Sequence, residues 1–193
     1  TIKNVGLFDL TPFSKFELKS EKAHQELQKI CTANIKNEPG KCVYTHMLNS
    51  DGGIETDLTV VCIDKNHFRI ISSAATRERD KFHINKHLSK NIELKDITDD
   101  LCVFGLFGPK SRDLLKTLSE DNFENDQFRF GFAKFITIDG VKIWTQRLSY
   151  VGELGYELYV DLKDTKKIYE LLIEKGKNFN LSNCGMHAMD IMR

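Results

Sequence analysis

Phe135-Ile136-Thr137-Ile138-Asp139-Gly140-Val141-Lys142-Ile143-Trp144-Thr145 decides the fold class. Two β-rich runs flank Asp-Gly, the dipeptide best suited to the positive φ angles of a two-residue hairpin turn. A hairpin forces its strands to run antiparallel. A second pair stands upstream, runs 55–63 and 68–72, joined by the tight Asp64-Lys65-Asn66 turn. Helical patterns are interspersed with these strands, so the class is α+β, with mixed, largely antiparallel sheets and packed helices.

Working outward, residues 14–19 alternate, with Phe16 and Leu18 opposed to Lys15, Glu17 and Lys19. This is the pattern of a half-buried strand. Ser20 offers an N-cap hydroxyl, and Ala23, Leu27, Ile30 and Cys31 follow at helical spacing; an amphipathic helix of about three turns is expected. Pro39-Gly40 breaks the chain before a strand near 42–48, and Asn49-Ser50-Asp51-Gly52-Gly53 concentrates turn residues. Residues 75–88 read as a charged surface helix. The apolar run 101–107 is too short for a helix and suits a strand buried on both faces. Pro109 is expected at the first position of a helix carrying Leu114, Leu115 and Leu118, followed by a loop at 121–127. Residues 156–161 alternate as a strand, and 164–175 are helical by Ile168, Leu171 and Leu172. Gly176 is expected as a left-handed stop, and Asn183 as the cap of a last helix.

The 193 residues balance 28 Lys+Arg against 28 Asp+Glu, with 40% hydrophobic and 29% charged. That composition fits a globular chain with a sizeable core. Zero net charge removes the usual footprint of a nucleic-acid binder, which needs surplus cations to displace counterions from phosphates. No apolar stretch is long enough to span a bilayer, so no membrane partner is expected. Five cysteines are scattered without any C-x-x-C. They read as reduced core thiols, placing the chain in a reducing compartment, the cytoplasm or the mitochondrial matrix. His83 and His87 share a helical face but lack a third ligand, and no metal is expected.

Two segments carry more polar chemistry than packing demands. In the run 44–60, Asp57 interrupts a strand-forming stretch just past Gly52-Gly53. Aspartate is depleted in strands. It is either a rigidly held carboxylate facing a cleft or a solvated residue near a turn. In the run 147–157 an arginine, two tyrosines, two glycines and two carboxylates crowd together. If a strand resumes near Tyr156, Glu157 and Tyr159 share one face, either to stack on and hydrogen-bond a flat heterocycle or as an ordinary cross-strand arrangement. Phosphate-cradling glycine motifs and a nucleophile elbow are absent from the sequence.

Five segments in register resemble the aminomethyltransferase family, that of the glycine-cleavage T-protein. They are Val5-Gly6-Leu7-Phe8-Asp9-Leu10-Thr11, then Tyr44 with Gly52-Gly53-x-x-x-Asp57-Leu58, then Phe107-Gly108-Pro109-Lys110. Arg147-x-x-Tyr150-x-Gly152-Glu153-x-Gly155-Tyr156-Glu157 resembles the family's R-x-(G/S)-Y-(T/V)-G-E-x-G-(F/Y)-E, and Gly185-x-x-Ala188-x-Asp190-x-x-Arg193 its final helix. Thr56 stands where the T-protein has the first of two aspartates, which brings the chain closer to the tetrahydrofolate-binding portion of dimethylglycine and sarcosine dehydrogenases. The resemblance implies that residues 1–193 are the folate-binding domain, without the family's early N-terminal segment and C-terminal barrel.

It further implies folate-dependent one-carbon transfer, with tetrahydrofolate taking a one-carbon unit from dimethylglycine, sarcosine or an aminomethyl donor to give methylene-tetrahydrofolate. By the same resemblance Asp57 is the catalytic carboxylate at N10 of tetrahydrofolate. Tyr44 and Tyr150 line the folate pocket, Thr59 belongs to its strands, Glu157 hydrogen-bonds the pterin, and Arg193 offers a fork to a carboxylate or carbonyl. Arg147 supports the site. The implied cleft lies between strands 44–59 and segment 147–159. Any FAD would sit in an upstream flavin domain of the parent chain, since no dinucleotide fingerprint occurs in this sequence. The alternatives are a non-catalytic folate-binding module, regulatory or for iron–sulfur assembly, and an interaction domain with a vestigial pocket. The iron–sulfur branch usually has a cysteine in its K-G-C-Y signature; Ser149-Tyr150 lacks it.

Overall fold

The computed structural model describes residues 1–193. In chain order the strands are β1 (Val5–Asp9), β2 (Ser14–Lys19), β3 (Cys42–Leu48), β4 (Ile54–Asp64), β5 (His67–Ser72) and β6 (Leu94–Asp96). They continue as β7 (Leu101–Phe107), β8 (Ala133–Ile138), β9 (Val141–Gln146), β10 (Gly155–Asp161) and β11 (Leu181–Cys184). The α-helices are α1 (Ala23–Ile30), α2 (Arg77–His87), α3 (Ser111–Lys116), α4 (Thr165–Gly176) and α5 (Met186–Met192). The chain divides into two compact units, Pro12–Asp99 and Thr1–Thr11 with Asp100–Arg193. The α+β class and the largely antiparallel pairing are as expected from the hairpins.

The unit Pro12–Asp99 is a five-stranded sheet ordered β3-β4-β5-β2-β6, with every neighbouring pair antiparallel. Its first hairpin is closed by Asn49, whose Oδ1 accepts from the backbone N–H groups of Asp51 (3.0 Å) and Gly53 (2.9 Å). Gly52 supplies the positive φ of +80° there. Phe16, Leu18, Met47, Leu58, Val60, Phe68 and Ile70 bury one face under Leu27 of α1 and Ile84 of α2. Each such burial contributes about 1.5–3 kcal/mol. Arg77 fastens the start of α2 to Asp96 and Asp99, both at 2.9 Å.

Two expectations change here. β2 is buried on both faces, because Glu17 is paired with Arg69 (2.8 Å) and His67 (3.0 Å), and the Lys15 ammonium donates to the Phe13 carbonyl. Helix α1 is only eight residues long. Ser20 closes a turn ahead of it, accepting from the Lys22 N–H at 3.2 Å, and does not cap the helix.

The unit Thr1–Thr11 with Asp100–Arg193 is a six-stranded sheet ordered β11-β1-β7-β10-β9-β8. Only β1 and β11 run parallel. The β8–β9 turn has φ of +46° at Asp139 and +77° at Gly140, as its Asp-Gly sequence requires. Phe104, Leu106, Ile143, Tyr156 and Leu158 pack one face against Leu114 and Leu115 of α3 and Ile168 and Leu172 of α4. Strand β7 is buried on both faces along nearly its whole length.

Three local expectations fail in this unit. Pro109 precedes α3 inside a turn closed by Ser111 N–H to the Gly108 carbonyl, so the helix starts at Ser111. Gly176 is helical; the left-handed residue is Asn180, four positions on. What Gly176 provides is room, since a Cβ there would stand 2.7 Å from the Leu181 side chain. Asn183 lies in β11 and donates to the Tyr169 hydroxyl, while Gly185 stands at the start of α5. No helix is long and apolar enough to cross a membrane.

Candidate functional site

Alternation along β4 sends Thr56 and Leu58 into the core and leaves Asp57 exposed on the opposite face. On the neighbouring strand Asp57 is paired with His46, and Thr59 with Tyr44. Tyr44 therefore sits diagonally from Asp57 on the same face, and its hydroxyl donates to Asp57 Oδ2 at 2.9 Å. The Tyr44 ring meets the His46 ring edge-on, with centroids 5.3 Å apart. One carboxylate oxygen is thus fixed by a phenol, while Oδ1 is left for another donor. Thr59 stands half-buried beside Tyr44.

In the six-stranded unit, Tyr156, Leu158 and Val160 point into the core, so Glu157 and Tyr159 take the other face, as expected. The Tyr159 hydroxyl donates to Glu157 Oε2 at 2.9 Å. Burial pushes the Glu157 carboxyl up to about 7, and the Tyr159 hydrogen bond opposes the shift. Tyr150 and Arg193 come together: the guanidinium lies 4.5 Å above the ring centroid and also donates to the hydroxyl. Arg147 is spent on structure. Its guanidinium donates to the Phe128 carbonyl, and its backbone pairs with Gly131 and Phe132, fixing that loop.

Gly155 explains how the loop bearing Tyr150 comes so near the sheet. A Cβ at that position would lie 2.7 Å from the Leu148 carbonyl oxygen and 2.6 Å from the Phe107 ring. Two residues of this face escaped the sequence reading, Trp144 and Gln146. Both alternate away from the core on β9, and neither Trp144 Nε1 nor either end of the Gln146 amide has a hydrogen-bond partner. The available signal was the amide itself, one residue before the segment that begins at Arg147.

Other groups are silent. Burial pushes the Cys31 thiol up to about 12 and the Cys62 thiol up to about 11, which leaves neither as a nucleophile at neutral pH. A cleft of about 490 Å³ lined by Leu118, Ser119, Glu120, Asp121, Thr137 and Asp139 contains none of the candidate residues. Asp121 there is engaged by Ser119 and the Thr137 N–H, and Asp139 by Lys167.

The GCVT N-terminal domain family model matches residues 1–193. The chain is 31% identical over 194 residues to an aminomethyltransferase of Natranaerobius thermophilus, covering 100% of this chain and 53% of that protein. It is 31% identical over 195 residues to the mitochondrial dimethylglycine dehydrogenase of Rattus norvegicus, covering 100% of this chain and 23% of that protein. The chain thus spans about half the length of the first relative and about a quarter of the second. Among solved structures, the glycine cleavage system aminomethyltransferase T from Bartonella henselae superimposes with a TM-score of 0.84 at 20% identity. That match covers 100% of this chain and 51% of that one, and it establishes the shared fold.

Proposed function

Since the chain belongs to the GCVT N-terminal domain family, we propose that it reads tetrahydrofolate for an enzyme that moves a one-carbon unit from an amine-derived donor to that acceptor. The product is methylene-tetrahydrofolate, and the donor is an aminomethyl group or the formaldehyde-level iminium carbon left after a flavin centre elsewhere in the parent enzyme has taken two electrons from the N-methyl group of dimethylglycine or sarcosine. The observation that carries the reading is the exposed Asp57 carboxylate, anchored through one oxygen by Tyr44. When bound, tetrahydrofolate supplies the secondary-amine nitrogen that takes up the one-carbon unit.

Asp57 accepts the N–H of that amine and takes its proton, turning the nitrogen lone pair toward the electrophilic carbon. Such base assistance is typically worth about 10²–10⁴ in rate. Tyr44 keeps the carboxylate in one orientation, which holds the reacting atoms near attack distance. Glu157 fits a pterin by its chemistry: a half-buried carboxyl with Oε1 unclaimed by the protein, suited to adjacent ring N–H donors. Tyr150 supplies an aromatic surface, Thr59 a hydroxyl beside Tyr44, and Arg193 a fork for a carboxylate or carbonyl.

Calorimetric titration of the full-length protein with tetrahydrofolate tests this reading, alongside methylene-tetrahydrofolate formation by wild type and Asp57→Asn. Absence of binding to the wild-type protein would remove the reading altogether. Undiminished turnover by Asp57→Asn would remove the catalytic role from Asp57.

A further inference from the structure

Gln146 closes β9 and is wholly buried, yet neither Nε2 nor Oε1 meets a partner. Native proteins seldom leave a buried amide unsatisfied at both ends, because desolvation then goes uncompensated. Its surroundings say what it is for. Gln146 is the register partner of Glu157 on β10 and of Ala133 on β8, and Glu157 is in turn the partner of Gly105 on β7. One row of the sheet therefore reads Gly105, Glu157, Gln146, Ala133.

Directly opposed residues share a face, with Cβ atoms about 5 Å apart. The carboxyl and the amide stand side by side, flanked by a residue with no side chain and one with a methyl. They are not bonded to each other: Glu157 takes its hydrogen bond from Tyr159. Two residues along the strands and on the same face, Trp144 opposes Tyr159, and its indole N–H is likewise buried and unpaired.

We propose that Gln146 is a second reader of the bound heterocycle, taking the ring edge next to the one Glu157 takes; this rests on the tetrahydrofolate reading above. A 2-amino-4-oxo pteridine presents its amino N–H and N3–H side by side, a two-donor edge that a carboxylate receives in two parallel hydrogen bonds. On either side of that edge the reduced ring shows one acceptor and one donor, O4 with N5–H or N1 with N8–H. A carboxamide complements either pair, its NH₂ donating and its carbonyl accepting. In oxidised folate N5 and N8 carry no hydrogen, so the Gln146 carbonyl would face a lone pair. Gln146 accordingly selects the tetrahydro ring over the oxidised one.

The experiment titrates the full-length protein with tetrahydrofolate and, separately, folic acid, for wild type, Gln146→Leu and Gln146→Met. Thermal denaturation of the ligand-free proteins runs in parallel. Both variants are expected to lose about tenfold or more in tetrahydrofolate affinity while folic acid affinity stays within about twofold. Their ligand-free melting temperatures should rise, because an unpaired buried amide has been replaced by an apolar side chain. Variants that bind both ligands as wild type does would overturn the inference and leave the folate reading standing. Variants that melt earlier, fail to fold or weaken both ligands equally would make Gln146 a structural residue and overturn it too. A wild-type protein that binds neither ligand would overturn the folate reading itself, and this assignment with it.

Discussion

The Tyr44 hydroxyl donates to Asp57 Oδ2 at 2.9 Å, diagonally across the β3–β4 pair. A hydrogen bond to a charged group is worth about 1.5–3 kcal/mol, so Tyr44→Phe should lower kcat/KM for methylene-tetrahydrofolate formation by roughly 10- to 100-fold. Asp57→Asn should lower kcat further, by about 10²–10⁴. Steady-state assays of the full-length protein check both. A Tyr44→Phe enzyme with unchanged kcat/KM would mean that the bond does not position the carboxylate.

Glu157 gives a pH signature. Burial raises its carboxyl from an ordinary 4.5 to about 7, with Tyr159 opposing. Between those values the folded state holds a proton that the unfolded state has released, so stability falls as pH rises through the interval. Ligand N–H donors require the carboxylate, so tetrahydrofolate affinity should rise with pH and level off above about 7. Glu157→Gln should flatten both profiles. Melting curves and titrations from pH 5 to 8 decide it; a Glu157→Gln protein keeping the wild-type slopes would assign them to another group.

Glu17 predicts the opposite acid behaviour. Burial alone would raise its pKa, yet hydrogen bonds from His67 and Arg69 hold it far below the usual carboxylate range. Its contribution is therefore present above the ordinary value and lost as pH falls through the depressed one. Removing one member of a buried pair costs about 3–5 kcal/mol, the loss expected of Glu17→Gln in urea unfolding at pH 7. The gap to wild type should narrow in acid. A loss that stayed constant from pH 7 into acid would contradict the pairing.

Gly155→Ala places a methyl against the Leu148 carbonyl and the Phe107 ring. Overpacking of this kind costs about 1–3 kcal/mol. Because the displaced backbone leads directly to Tyr150, tetrahydrofolate affinity should weaken with it. Gly140→Ala is the control: φ is +77° there, with nothing within 4 Å of the added Cβ. Backbone strain alone should cost about 1 kcal/mol and spare affinity. Equal affinity losses in the two variants would break the link between Gly155 and the site.

The antiparallel elements were legible because their signals are local. Asp139-Gly140 and the 64–66 turn each join neighbours in sequence, and alternation placed Glu157 with Tyr159 correctly. β11 was missed because Leu181–Cys184 has no hairpin partner; it is a strand only by lying parallel to β1, about 175 residues away along the chain. Gly176 and Asn183 misled for a related reason, since both answer to tertiary neighbours, Leu181 and Tyr169. Asp57 could be singled out as a polar residue within a strand, whereas its tether to Tyr44 follows from register. Gln146 escaped because an amide in a strand is unremarkable until its missing partners are known.

The place of β1 between β7 and β11 fixes an order of assembly. Everything the five-stranded sheet needs lies between Ser14 and Asp96, so that sheet can close once those residues have left the ribosome. β1 is made before all of them, yet its first neighbour arrives with Leu101–Phe107 and its second only with Leu181–Cys184. Such distant pairings are intrinsically slow to form, and an open strand edge meanwhile invites other chains. Of the six strands in its sheet, β1 is made first and sealed on both sides last, so nascent chains halted before Leu181 are the ones that should depend most on a chaperone.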